Sequence, residues 1–410
     1  MHASVLRKLL TIAFTLLLGT AFANADDWPG WRGPRGDNKV TGFTAPSSWP
    51  KDLTKKWTVT VGGGESSPVM VGDKVYVFGR QGKEEVIACL NAADGKEVWA
   101  YKYAADPVKG PSAAKFPGTR STPVVGEGKV CSLGVNGTVT CVDAAKGTLV
   151  WKKDTTKPQF HTSTAPLIAD GKCIVFGNGL TAYDLADGTI KWTWASSKQT
   201  PYGSPVLMTV DGVKTVVTPS VGALAGVNLA DGKLAWKVSI GPGGGDYFHH
   251  YSTPLIDGSN VIYSVTGYKT AIGNMIAVKI EKKGDAFEAS PIWKKDFSAA
   301  EYHTPLLKDG VIYGVTTKLM FFAMDAKTGN NLWTDTTKRG NCGSILDVGP
   351  VLLALSADQD LIALNANAKK YDEVAKYRVS SGQPCAVPIV AGNRVFVKDV
   401  GGSLSMFTFE

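Results

Sequence analysis

The chain predicts an all-β fold, an eight-bladed β-propeller of four-stranded antiparallel blades, and three observations carry that prediction. The first is a spacing: Asp or Asn, Gly four positions on and Trp four beyond recur as Asn91/Gly95/Trp99, Asp143/Gly147/Trp151, Asp184/Gly188/Trp192, Asn228/Gly232/Trp236 and Asp325/Gly329/Trp333. The second is a proline entering a strand, at Pro68, Pro123, Pro166, Pro205, Pro254, Pro305 and Pro388, with Ser344 in that place in one copy. The third is an incomplete end. After Pro388 only three strands remain before Glu410, while Lys55-Lys56-Trp57-Thr58-Val59 reads as an outer strand with nothing before it. An N-terminal strand that completes the C-terminal blade explains both, and closing the ring removes sheet edges that would otherwise pair with other chains.

Each element follows from residue chemistry. Apolar runs such as VIACL and TVTCV upstream of each Asp or Asn read as strands covered on both faces. Asp or Asn bonds its own backbone two residues on, and Gly supplies a positive φ, so the ADG, AKG and KTG segments reverse the chain. The Trp opens the outer strand, where a large ring repeated once per sheet fills the wedge between sheets. Proline is tolerated only at a strand start or an edge, which suits the innermost strand lining a channel. Outer-strand positions at Trp57, Trp99, Trp151, Trp192, Trp236, Trp293, Trp333 and Tyr377 recur at the period of four-stranded blades and count eight.

In chain order, residues 1–25 carry Arg7 and Lys8, an apolar run from Leu9 to Phe22, then Ala23-Asn24-Ala25, the pattern of a secretory signal peptide cleaved near Ala25. Its loss removes two basic and no acidic residues, so the formal charge falls from +8 to +6. No other comparable apolar run exists and no Cys stands directly after the cleavage site. The expectation is an exported, soluble monomer, periplasmic or extracellular, without a transmembrane segment. Residues 26–54 are rich in Trp, Pro and Gly without strand or helix period, an arm that either packs on the propeller and seals it or straps a partner. Residues 55–410 form the propeller. Its fifth unit departs most from the repeat, with Lys279 where Asp or Asn is expected.

Six cysteines in an exported chain invite disulfides. Cys131 and Cys141 flank the turn at Val135-Asn136-Gly137 and are candidates for a bridge. Cys342 and Cys385 head adjacent inner strands and are candidates for a second, while Cys89 and Cys173 read as buried small side chains. No C-x-x-C, Walker loop, nucleophile elbow or H-E-x-x-H is present. The lysines are scattered over turns with no basic block, so nucleic acid is not expected as a partner.

The mature histidines, His161, His249, His250 and His303, all precede the proline of an inner strand by a few residues. The position three before each proline, or its equivalent, reads Glu65, Arg120, Ser163, Tyr202, Tyr251, Tyr302, Asn341 and Cys385 around the ring. With Asp246 on the glycine-rich 240–251 segment, these are expected to make a funnel at one mouth of the channel. Two readings stand. Either the funnel binds a small polar or anionic ligand, or a transition metal through His249, His250 and His303, or its residues bond neighbouring loops and water. Adjacent His249 and His250 point to opposite sides if extended, which counts against a shared metal.

The repeated unit, as in AYDLADGTIKW and FAMDAKTGNNLW, resembles the pyrroloquinoline-quinone (PQQ) enzyme repeat. WPGWRGPRGDN resembles the opening of exported bacterial PQQ-binding-like propellers. The resemblance spans nearly the whole mature chain. Its quinoprotein dehydrogenase branch implies PQQ in the funnel, Ca²⁺ held by Glu, Asn and Asp, a catalytic Asp and a disulfide between adjacent cysteines. This chain has no adjacent cysteines, and its candidate rim carboxylates are few: Glu65, Asp246, Glu301, Asp358 and Asp360. The other branch resembles the outer-membrane assembly propeller, an eight-bladed scaffold without catalysis. Length and blade number match that branch, although its lipid-attachment Cys is missing. The expected function is binding of a protein partner or small polar ligand, with a PQQ- and Ca²⁺-dependent dehydrogenase as the alternative.

Overall fold

Eight four-stranded sheets form because each Asp–Gly turn and each proline-led strand repeats one blade, and the computed structural model arranges them as successive antiparallel blades. It describes residues 27–410 apart from 111–112, 114–115, 156–160, 178, 195–200, 221, 241–247, 268–272, 298, 300–301 and 341–342. Blade 1 runs outward through Val69–Val71, Lys74–Gln81, Glu84–Asn91 and Glu97–Ala104. The innermost strands of blades 2 to 8 are Val124–Gly126, Leu167–Ala169, Val206–Val210, Leu255–Asp257, Leu306–Lys308, Gly343–Asp347 and Ile389–Ala391. Blade 5 has an additional two-residue strand, Phe248–His249, paired with Asn260–Gly267. Closure is made by the N-terminal strand Thr54–Thr60, which pairs with Ser403–Thr408 and sets Lys55 opposite Phe407 and Trp57 opposite Met406.

The repeat residues lock one blade to the next. In blade 2, Asp143 Oδ1 accepts from the amides of Ala145 and Lys146, and the Gly147 amide donates to the Asp143 carbonyl at 2.8 Å. Gly147 adopts φ 67°, and the indole of Trp99 from blade 1 lies so close that a Cβ there would sit 2.4 Å from Trp99 Cε3. Trp99 Nε1 donates to the Ala144 carbonyl at 3.1 Å. The same docking recurs at Trp57 with Ala92, Trp151 with Leu185, Trp192 with Leu229 and Trp293 with Ala326. The glycine is thus required twice, for a left-handed φ and for close approach of a ring. Blade 5 breaks the series. Its long hairpin, Asn274–Lys283 with Ala286–Lys295, has no equivalent turn, and Trp236 Nε1 is buried without a partner.

One expectation is corrected. Cys131 and Cys141 face each other in register across two strands of blade 2, yet both are free thiols, as are Cys89 and Cys173. Directly opposed residues on neighbouring strands hold their Cβ atoms about 4.5–5.5 Å apart, wider than the roughly 3.8 Å mean of a disulfide. Both thiols pack as small apolar side chains with Cys173, Leu133 and Trp151 between blades 2 and 3. Cys385 is disulfide-bonded; Cys342 lies outside the described residues.

The described part of the arm, from Asp27, runs across the inner strands of several blades. Trp28 exchanges two backbone bonds with Met70, the Pro29 carbonyl accepts from Val125, Val40 and Asn38 bracket Asp347, and Thr44 donates to Gly392. Phe43 and Trp49 then meet Phe409 edge-on at 5.5 and 5.8 Å. Among the described residues no helix is long and apolar enough to cross a membrane.

Candidate functional site

The residues just before each inner strand form a belt around the axis. Val387 donates its amide to Ser67 Oγ, and Ser67 its amide to Thr122 Oγ1. Ala165, Ser204 and Thr253 donate in the same way to the hydroxyls of Ser204, Thr253 and Thr304. A Ser or Thr directly before the proline therefore marks a blade-to-blade hydrogen bond.

Two residues further upstream, this belt carries a cavity of about 250 Å³ at the N-terminal ends of the inner strands. Of the residues anticipated for the channel mouth, Glu65, Arg120, Tyr202, Tyr251 and Tyr302 line it, together with Ser163 and Cys385. Four further lining residues had no such signal: Trp31 from the arm, Phe116 from the long connection between blades 1 and 2, Gln383 and Val400. Trp31 is the floor, held by its Nε1 donating to Thr253 Oγ1 at 2.9 Å.

The rings form a chain. Tyr202 stacks on Tyr251 at 5.1 Å and 17°. Tyr251 meets Tyr302 edge-on at 4.9 Å, and Phe116 meets Tyr302 at 5.4 Å. Tyr302 is held at φ 57°, a left-handed conformation that a bulky residue adopts at a cost of roughly 1–2 kcal/mol. The Arg120 guanidinium lies 5.6 Å from the Phe116 ring centroid, and its Nη2 donates to the Phe116 carbonyl. Burial lowers its pKa against the opposing charge of Glu65. Burial likewise pushes the Glu65 carboxyl up, offset by its backbone hydrogen bond and by Arg120 and Lys398. Glu65 Oε2 is buried with no hydrogen-bond partner. Behind it Lys398, fully buried and lowered to about 8 by desolvation, donates to the Gly64 carbonyl at 2.5 Å.

The described histidines do not line this cavity. His161, buried and at φ 68°, has Nε2 3.2 Å from the Lys109 carbonyl, fastening the long connection to blade 3. The His250 carbonyl accepts from Tyr202 and Gly203, and its ring lies 6.3 Å from Tyr263. For His249 only the backbone is described; Asp246 and Glu301 lie outside the described residues.

His303 is 2% exposed, and its Nδ1 lies 3.2 Å from the Gly343 carbonyl. That acceptor selects the neutral tautomer with the proton on Nδ1 and leaves Nε2 buried without a partner. Burial lowers its pKa from 6.5 to about 4, with Arg32 adding repulsion. The unfolded chain takes up this proton near pH 6.5 and the native state only near 4, so stability present above 6.5 is lost as pH falls through that window. The expected loss is on the order of 2–3 kcal/mol. Denaturant midpoints at pH 7.5 and 4.5 check it: His303→Gln should fall less than wild type, and an equal fall removes His303 as the cause.

The donor set does not suit a Ca²⁺-bound quinone. Glu65 is the one carboxylate lining the cavity among the described residues, whereas Ca²⁺ takes six to eight oxygens. Asp358 and Asp360 are engaged elsewhere, by the Gly340 amide and by Arg378. Among the described residues no group of three or more His, Cys, Asp or Glu could hold a metal ion.

A family model described as outer membrane protein assembly factor BamB matches residues 36–159 and 83–335. BamB of Burkholderia pseudomallei is 26% identical over 378 residues, covering 87% of this chain and 88% of that protein. A 1-butanol dehydrogenase (cytochrome c) of Thauera butanivorans is 28% identical over 204 residues, 45% of this chain and 28% of that enzyme. The solved europium-containing methanol dehydrogenase superposes with TM-score 0.71 at 13% identity, covering 94% and 98% of the two chains, a likeness of fold alone.

Proposed function

From the premise that this chain belongs to the family of the outer membrane protein assembly factor BamB, we propose that it is an exported scaffold of the cell envelope, binding protein partners in outer-membrane protein assembly. It carries no catalytic step of its own. The observation that supports this reading best is extent. The likeness to a BamB relative runs through 88% of that protein, while the likeness to the butanol dehydrogenase stops at 28% of the enzyme. The geometry is compatible with it. The arm packs along the inner strands and reaches the cavity through Trp31, and among the described residues the cavity pairs its one lining carboxylate with buried cations rather than with further oxygen ligands for a metal.

A rigid disc with loops on one rim is suited to holding a partner, because loops on a fixed scaffold present side chains without losing much order on binding. The test is a deletion strain and in-cell crosslinking from photoreactive residues placed at exposed outer-strand positions such as Val98 and Ile190. Reduced outer-membrane β-barrel proteins and crosslinks to an envelope assembly component are expected. Normal levels of those proteins with no protein crosslink would refute the scaffold reading. In parallel, PQQ with Ca²⁺ is expected to produce neither a melting shift nor alcohol-dependent dye reduction.

A further inference from the structure

The axial cavity divides into two halves. Tyr202, Tyr251 and Tyr302 stand on blades 4 to 6, while Gln383, Glu65 and Arg120 stand on blades 8, 1 and 2. One side is thus a wall of aromatic rings and the other a set of hydrogen-bonding groups, with the Trp31 indole beneath. We propose that this cavity is a carbohydrate site that takes one neutral pyranose unit, seated against the tyrosine wall with its hydroxyls turned to Glu65, Gln383 and Arg120.

Three observations select that class. The first is charge: Glu65 opposes Arg120, and Lys398 behind them is offset by Asp399, so among the described residues the charges at the site balance and leave none for an anion or a cation to answer. The second is the orphaned Glu65 Oε2, a buried acceptor with no protein donor. A carboxylate oxygen in that state calls for a hydroxyl or amide donor from an occupant, since an unsatisfied buried charge-bearing acceptor is costly. The third is shape. At about 250 Å³ the cavity is smaller than the roughly 300–1,000 Å³ of pockets for drug-sized ligands, which fits one ring. A pyranose has a C–H face for an aromatic wall and a rim of hydroxyls, matching both halves at once; an aromatic ring leaves the polar half unanswered. The backbone strain at Tyr302 holds one ring of that wall at the rim.

The site is independent of the partner-binding reading, and failure here leaves that reading standing. The experiment is saturation-transfer NMR on the mature chain with methyl glycosides of glucose, galactose, mannose and N-acetylglucosamine, with oligosaccharides ending in the same units, and with benzoate and tetramethylammonium as charged probes. At least one pyranoside should receive saturation, strongest on the C–H protons of one face. Tyr251→Ala and Glu65→Gln should each weaken it about tenfold or more, while Tyr251→Phe, which keeps the ring, retains it. Melting curves establish that each variant is folded. Tighter binding of the oligosaccharides marks a glycan terminus as the source, and equal binding marks the free sugar. The inference is overturned if no sugar in the panel receives saturation, if Tyr251→Ala binds as wild type does, or if only benzoate or tetramethylammonium binds.

Discussion

Gly147→Ala is expected to destabilise the protein by about 3–4 kcal/mol, whereas Gly128→Ala in the same blade costs about 1–2 kcal/mol. Both glycines have nearly the same left-handed backbone, φ 67° and 72°, so the strain of adding a Cβ is shared. Their surroundings differ. A Cβ at Gly128 meets nothing within 4 Å, while at Gly147 it meets the Trp99 ring at 2.4 Å. The indole must then leave, losing its hydrogen bond to the Ala144 carbonyl, worth about 1 kcal/mol, and a comparable amount of packing. Denaturant titrations of the two variants and of Trp99→Leu with and without Gly147→Ala make the comparison. If docking is the cause, the second substitution adds little once Trp99 is gone. Equal losses for Gly147→Ala and Gly128→Ala would leave the ring without a role in joining the blades.

That docking also explains why so much of the fold was legible. The Asp–Gly–Trp spacing records a contact between neighbouring blades as well as a turn within one, so each copy in the sequence marks a blade and its interface together. Proline and the preceding Ser or Thr mark the start of each inner strand, and counting three positions upstream lands on Glu65, Arg120, Tyr202, Tyr251 and Tyr302, which share one cavity. The histidines at nearby positions go elsewhere because their offset from the strand varies and local backbone decides their direction, as the left-handed φ of His161 does. Cys131 and Cys141 oppose each other as alternation requires, but opposition between adjacent strands does not give disulfide geometry. Least legible is the arm. It has no period, its bonds run to inner strands of several blades, and nothing near Trp31 in sequence indicates that its indole becomes the floor of a cavity.

Arg32→Ala is expected to be the most damaging single change in that arm, at about 3–5 kcal/mol. Arg32 is 1% exposed, and its guanidinium spends three donors on carbonyls: Nε on Gly36, Nη1 on Thr304 and Nη2 on Pro305. Burial pulls its pKa down to about 10, with Asp37 resisting, so the side chain stays charged at neutral pH. Replacing a buried ion pair with apolar groups is often harmless because both charges leave together. Here the acceptors are backbone carbonyls of blade 6 and of the arm itself, which no substitution removes. Arg32→Met should therefore fare little better than Ala despite filling the space, and Arg32→Lys should recover only part of the loss, since a point charge does not reach three carbonyls in a fork. Melting curves read the stability, and tryptic cleavage after Lys39 or Lys51 reads release of the arm. Met at wild-type stability, with the arm still resistant, would show that packing rather than carbonyl satisfaction holds the arm beneath the cavity.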